Sequence, residues 1–449
     1  MAMSNIRKII SNSPYLMLVF GFLIVIIIGS FLLSLPISST ANTWTHPLTA
    51  LFTATSATCV TGLIVVDTGT YFSPFGQVVI MLLIQIGGIG IMAFATLCIQ
   101  LFRGKISLKN KINIQETYNS NGIGDSGRLI KSIFLISLIT EVVGAIFLSS
   151  VFIPEFGFSK GLFYGLFHSI SAFNNAGFDL MGNFTSLTGY TGNFIINITT
   201  ITLITIGSLG FLTILDILSK KRFRKFSLTT KIVLCITITL LISGFILFSL
   251  FEFNNIDTLG NSSVSEKILG ALFLSVTPRT AGFNTLDMSK LTLASSLLTI
   301  LFMYIGASPT STGGGLKTTT VLIPILSIIS IFKGKEDIEI FERRVPKNII
   351  FKSLAIMCVV FMLSFASIIL LSITENSDLL TIFFEVASAI NTVGLSLGLT
   401  PSLSSIGKII ICVLMFIGRI GPLTIVLSLS LKKSKDTKIK FIEEKIMIG

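Results

Sequence analysis

The sequence predicts an all-α integral membrane protein of four tandem repeats, each an outer helix, a short pore helix, a filter loop and an inner helix, set around one central pore. Three observations carry that prediction: eight hydrophobic runs of bilayer length, four glycine motifs in register, and a second glycine marker following each motif.

The chain is 51% hydrophobic and only 12% charged, with a mean hydropathy of +0.89, whereas a soluble domain carries roughly 25% charge. A bilayer core demands about 20 consecutive apolar residues. Such runs lie at 15–35, 77–101, 129–153, 193–218, 232–251, 292–332 (interrupted), 349–373 and 405–431, which gives eight membrane spans. The first follows Arg7 and Lys8 without a small-residue cleavage site, so it reads as a span rather than a signal peptide. Cys59, Cys98, Cys235, Cys358 and Cys412 stand singly in apolar segments, against both a disulfide framework and a metal site.

The net charge of +12 is explained by placement. Of 33 Lys and Arg, 26 lie at Arg7 and Lys8 and in 103–131, 220–231, 333–352 and 432–445. These segments sit at the N-terminus, after every second span and at the C-terminus. Eight spans therefore put them on one face, the cytoplasm by the positive-inside rule, together with both termini of a multi-pass cell-membrane protein. The basic charge thus reads as topology and not as a nucleic-acid footprint. The opposite face holds five basic residues against ten acidic ones, among them Asp67, Asp179, Asp287 and Glu385, a balance that concentrates cations.

Internal repetition organises the rest. "SATCVTGL" (56–63), "SAFNNAGF" (171–178), "VTPRTAGF" (276–283) and "SAINTVGL" (388–395) align on Gly62, Gly177, Gly282 and Gly394. A second set, "IGGIG" (86–90), "IGSLG" (206–210), "IGASP" (305–309) and "IGRIG" (417–421), follows in the same order. The units run 1–104, 105–222, 223–335 and 336–449. Ahead of each glycine motif lies a segment too short to span, at 47–57, 160–172, 266–276 and 378–390, as expected of re-entrant helices. Thr45, Ser159, Ser265 and Ser377 are the candidate caps at their starts.

Four re-entrant loops around one axis can do one kind of chemistry well. A K+ ion gives up its water to a ring of backbone carbonyls, and glycine reaches positive φ without a Cβ penalty, so successive carbonyls can turn inward. The candidate filter is Val60, Thr61, Gly62 and Leu63; Asn175, Ala176, Gly177 and Phe178; Thr280, Ala281, Gly282 and Phe283; and Thr392, Val393, Gly394 and Leu395. The ion would be held by their backbone carbonyls, with no cofactor in the chain.

The four-unit plan with "TCVTGLIVVDTGT", "TPRTAGFNTLD", "GASPTSTGGGLKTTT" and "GRIGPLT" resembles the Trk/Ktr/HKT superfamily of K+ transporters, most closely its KtrB-type bacterial membrane subunits. All four filter glycines stand here, which in that family implies K+ selectivity. The resemblance further implies a homodimer with one pore per protomer, seated on a cytoplasmic octameric ring of RCK-type nucleotide-binding subunits (KtrA-like), where ATP activates and ADP inactivates. The ending "FIEEKIMIG" resembles the family's contribution to the dimer contact.

The third inner span is interrupted by "ASPTSTGGGLKTTT", where Pro and three glycines remove helix propensity by about 3 and about 1 kcal/mol each. This predicts a loop with helix resuming near Val321. By resemblance it is an intramembrane gate, made of Gly306, Ala307, Ser308, Pro309, Thr310, Ser311, Thr312, Gly313, Gly314, Gly315 and Lys317. Arg419, a charge in the middle of the fourth inner span, is a functional candidate by its depth alone. In the family an Arg there projects into the pore as an electrostatic barrier. Arg279, three residues before Gly282, reads as a brace behind the filter, Glu141 as paired within the bundle, and His46 and His168 as polar residues without metal-ligand spacing.

No HExxH or GxSxG occurs, and Leu316 before Lys317 breaks the phosphate-loop pattern, so no enzyme is expected. The competing reading is a secondary transporter coupling K+ to Na+ or H+, or carrying Na+, with broken helices around a midplane site.

Overall fold

The computed structural model describes residues 14–91, 93–94, 126–335 and 337–421. Four outer helices, Pro14–Ser34, Ser126–Phe156, Leu228–Glu252 and Lys347–Thr374, are each long and apolar enough to cross a bilayer. Their outward faces expose large apolar side chains such as Ile27, Phe31, Ile146 and Phe365. Water would not tolerate so extensive an apolar surface, whereas lipid accepts it. The architecture is that of an all-α membrane protein.

Inside the outer helices lie four short pore helices: Pro47–Thr58, Phe158–Phe173, Val264–Val276 and Leu379–Ile390. They match the expected segments to within two residues, yet none of their caps is the one expected from sequence. His46 Nδ1 accepts from Leu48 N–H at 3.3 Å. Ser263 forms a reciprocal capping box with Glu266, a pairing that satisfies two otherwise orphaned backbone donors. Gly157 and Asp378 occupy the other two cap positions without a side-chain bond. Thr45, Ser159, Ser265 and Ser377 therefore do not hold the cap positions.

The inner helices, Pro74–Ile89, Phe194–Leu209, Leu293–Ile305 and Ser405–Ile420, correct the expectation that only the third inner span is interrupted. Three stop at the second glycine of the "IGxxG" marker, with nearly one conformation: Gly90 (φ 94°, ψ 131°), Gly210 (φ 89°, ψ 136°) and Gly421 (φ 92°, ψ 132°). A side chain could not follow the backbone there, because positive φ is costly for any residue but glycine. At Gly210 the chain turns by 93° into a second helix, Phe211–Lys220. An inner helix that ends at a glycine is thus common to the four units and not peculiar to the third. The third unit differs in breaking earlier, at Gly306 (φ 51°), and in spending residues 306–317 before helix resumes at Thr318–Phe332.

Two antiparallel strands, β1 (Ile338–Ile340) and β2 (Arg343–Val345), pair Ile338 with Val345 and turn through Phe341 and Glu342, both at positive φ. They link the lower half of the third inner segment to the fourth outer helix. The buried apolar residues fall into two clusters, one drawn mainly from the first two units and one mainly from the last two. Both reach the centre, where the loops after the pore helices meet.

Candidate ion pathway

Each pore helix ends four to six residues before its motif glycine, and the backbone then repeats one figure four times. The residue two before the glycine is left-handed: Val60 (φ 57°), Asn175 (φ 59°), Thr280 (φ 66°) and Thr392 (φ 50°). The glycine is again at positive φ: Gly62 (96°), Gly177 (69°), Gly282 (77°) and Gly394 (94°). Each loop thus has two positive-φ residues separated by one that is not, and β-branched Val and Thr take up left-handed φ only when their surroundings hold them there.

The N–H groups are held on the other side. Thr61, Ala176, Ala281 and Val393 N–H donate back to Ser56, Ser171, Thr277 and Ser388 O of their own pore helices at 2.9, 2.8, 3.0 and 2.8 Å. Ser56 and Ser388 Oγ accept Gly62 and Gly394 N–H at 3.1 and 3.0 Å. The donors face the helices, which leaves the carbonyls for the axis.

The four glycines form a closed ring. A methyl group built on Gly177 would stand 2.6 Å from Gly282 Cα; on Gly282, 3.4 Å from Gly394 Cα; on Gly394, 3.1 Å from Gly62 Cα; and on Gly62, 3.2 Å from Gly177 Cα. The spacing also explains the second marker. A Cβ on Gly87, Gly207 or Gly418 would lie 2.8, 3.1 or 2.9 Å from the carbonyl carbons of Thr58, Phe173 and Ile390. In the first, second and fourth units the first glycine of the "IG" lets the inner helix touch the end of its own pore helix, whereas Gly306 of the third lies against Leu316 of the following loop.

On one side of the ring a cavity of about 190 Å³ is lined by all four glycines and by Asp179 and Asp287. On the other side runs the loop 306–317. Its Ser308 and Thr312 N–H donate to Ser208 and Gly207 O (3.0 and 3.2 Å), and Gly315 N–H to Gly418 O (3.0 Å). Thr312 Oγ1 donates to Phe173 O at 3.2 Å, and Lys317 Nζ folds back onto Gly313 and Gly314 O at 2.6 and 3.1 Å. The loop is pinned between the second and fourth units, directly beneath the ring.

Arg419 closes this level. Its guanidinium donates to Thr312 O in the loop and to Gly87 and Gly88 O at the break of the first inner helix. The side chain bridges the fourth unit to the loop and to the first inner helix. Arg279 is buried behind its loop with Nη2 on Thr237 Oγ1 (3.3 Å). Glu141 accepts from Gln85 Nε2 and Asn174 Nδ2, both at 3.0 Å, the bundle pairing expected of it. His168 Nε2 accepts Leu180 N–H at 3.3 Å while Nδ1 meets Tyr164 O at 2.7 Å, which makes the ring the neutral Nδ1–H tautomer and a tie for the segment beyond the glycine. Among the described residues no group of acids, His and Cys could hold a metal ion.

A central ring of carbonyl-bearing loops with a hydrogen-bonded loop lying beneath it has the chemistry to replace a cation's hydration shell. A family model described as TrkH, cation transport protein, matches residues 4–439. The chain belongs to this family. TrkH-family proteins are transporters and not enzymes. Among relatives, the chain is 43% identical over 448 residues to the Ktr system potassium uptake protein B of Bacillus subtilis, covering 99% of each. It is 42% identical over 442 residues to the potassium/sodium uptake protein NtpJ of Enterococcus hirae, covering 97% of each. The crystal structure of the potassium transporter TrkH from Vibrio parahaemolyticus matches with a TM-score of 0.71 over 92% of this chain and 85% of that one, at 20% identity, a likeness of fold.

The sequence of this TrkH-family chain did not reveal Gly90, Gly210 and Gly421 as the points where the inner helices stop, although they lie within the recurring marker. Nor did it reveal Gln85 and Asn174 as the partners of Glu141, or Asn391, whose Oδ1 accepts Leu316 N–H at 3.3 Å. A single polar residue on an apolar helix names no partner until the helices are placed. Cys98, the basic segments at 7–8 and 432–445, most of 103–131 and the terminal "FIEEKIMIG" lie outside the described residues.

Proposed function

We propose that the chain is the K+-translocating membrane subunit of a bacterial K+ uptake system, passing K+ through the filter loops at Gly62, Gly177, Gly282 and Gly394. The observation that carries this reading is the closed four-glycine ring with its repeated left-handed backbone. The relatives named for potassium uptake support the choice of ion. The four units 1–104, 105–222, 223–335 and 336–449 each supply one loop, and both termini are assigned to the cytoplasm.

The loop 306–317 is proposed as the gate, with Arg419 as its latch to the first inner helix. A relative named as part of a Ktr system supports a partner subunit. We assign that role to a cytoplasmic RCK-type ring carrying ATP or ADP, on which a homodimer of this chain sits. Replacing Arg419 with Gln removes charged hydrogen bonds worth about 1.5–3 kcal/mol each. Rb+ flux without ATP is expected to rise about tenfold in reconstituted vesicles, and unchanged flux would remove the latch role.

The test of the function is growth of a K+-uptake-deficient bacterium at low external K+, with and without a cognate regulatory subunit. Rescue by the wild-type chain and its loss in Gly62→Ser are expected; failure of the wild type with its partner would sink the K+ reading. The name potassium/sodium uptake protein on the Enterococcus relative keeps the second reading in view, a carrier coupling K+ to Na+. Obligatory Na+ coupling at fixed stoichiometry in vesicles would favour it over channel-like permeation.

A further inference from the structure

In three of the four units the residue three before the filter glycine (Cys59, Asn174, Asn391) caps its pore helix, and the two asparagines in this position behave alike. Asn174 Nδ2 donates to Ile170 O in its own last turn at 2.9 Å and reaches Gln85 Oε1 of the preceding unit's inner helix at 2.8 Å. Asn391 Nδ2 donates to Ala387 O at 3.0 Å, while its Oδ1 takes Leu316 N–H, again from the preceding unit. For Asn174 the neighbour is regular helix. For Asn391 it is the loop beneath the ring.

The next residue makes the same connection inside the filter. Thr392, β-branched and held at φ 50°, accepts Gly314 N–H on Oγ1 at 3.0 Å. The loop lies close enough here that a Cβ on Gly315 would stand 2.6 Å from Asn391 Cα. Gly313 likewise abuts Thr280 of the third filter loop, at 3.1 Å between an added Cβ and Thr280 Cβ. Two left-handed threonines of the filter thus rest directly on the loop, and such strained residues persist only where their surroundings over-determine them.

We infer that Asn391 and Thr392 form a latch through which the position of the loop 306–317 sets the ion discrimination of the filter. With the loop in place, the Gly314 and Leu316 N–H groups hold the fourth filter strand in the conformation that closes the ring. Withdrawal of the loop frees Thr392 and loosens that strand, so the filter discriminates less between K+ and Na+ as the gate opens. This rests on the gate reading above, and the test separates the two.

Rb+ and Na+ uptake are measured in vesicles holding wild type, Thr392→Val, Thr392→Ser, the deletion of 311–315, and the deletion combined with Thr392→Val. Valine keeps the branched shape and removes the acceptor. Losing one buried hydrogen bond of ordinary strength corresponds to about five- to tenfold. Thr392→Val is expected to raise Rb+ flux and lower the Rb+/Na+ ratio by about that factor, and Thr392→Ser to restore both. The deletion should lower the ratio similarly, and Thr392→Val should add nothing in that background, as coupled residues show in a double-mutant cycle. If the deletion raises flux at a wild-type ratio, the latch is wrong and the gate stands. If flux does not rise, gate and latch fail together. If Thr392→Val lowers the ratio equally with and without the loop, Thr392 is a part of the filter alone and the latch is overturned.

Discussion

Gly394→Ala is expected to reduce Rb+ uptake by roughly a hundredfold while the protein still inserts in the membrane. The added methyl would press on Thr61 O and sit 3.1 Å from the Cα atoms of both Gly282 and Gly62, so it meets backbone from two other units at once. None of these is the flexible end of a side chain that could swing away. The backbone at φ 94° adds strain of up to about 3 kcal/mol for a residue with a Cβ, which alone is about a hundredfold. Relief comes only by turning the strand, and that withdraws a carbonyl from the ring. Uptake per inserted protein, measured in vesicles at low K+, checks it; a loss of less than about threefold would contradict the ring as the ion path. By contrast Gly157, also at positive φ (81°, ψ 164°) but with open space around it, carries only the conformational cost, so Gly157→Ala should lower stability while uptake per inserted protein stays near wild type. The pair separates a demand for close approach from a demand for conformation.

The same distinction explains what was legible in the sequence. The four motif glycines announced themselves because four loops meet and each must omit a side chain, so the constraint is written four times at spacings of 105 to 115 residues. In three of the four units the "IG" marker recurred for a local reason, contact of an inner helix with the end of its own pore helix. Its second glycine marked a hinge, and that was not readable, because an apolar run on both sides of Gly210 has the hydropathy of one straight helix whatever its bend. The caps failed for a related reason. Ser, Thr and Asp are frequent near every helix start, and the choice of Ser263 over Ser265 depends on where Glu266 reaches. Contacts between units, such as Asn391 with Leu316 or Arg419 with Gly87, join residues 75 and 332 positions apart and leave no periodic trace.

Deleting residues 311–315 is expected to raise K+ flux about ten- to a hundredfold and to weaken its control by nucleotide on the partner ring. The segment supplies the Thr312 carbonyl that Arg419 holds, the Thr312 bonds to Gly207 and Phe173, and the Gly314 and Gly315 N–H bonds to Thr392 and Gly418. These tie the loop to the second and fourth units and, through Arg419, to the first. Each neutral bond contributes only about 1 kcal/mol net, and the charged one more. A gate must open with the few kcal/mol that a nucleotide-dependent partner delivers, as coupling energies of about 1–3 kcal/mol per site imply. A handful of such bonds is the right scale, whereas a packed helix at this position would be far too stable to displace. This is the physical reason for three glycines and a proline where the sibling units keep helix to the end of the marker. Shortening the loop by five residues leaves about 7 to bridge Ile305 and Thr318, too few to cross beneath the ring and make those bonds. Flux that stayed low and fully nucleotide-dependent, at normal insertion, would show that the barrier lies elsewhere along the pathway.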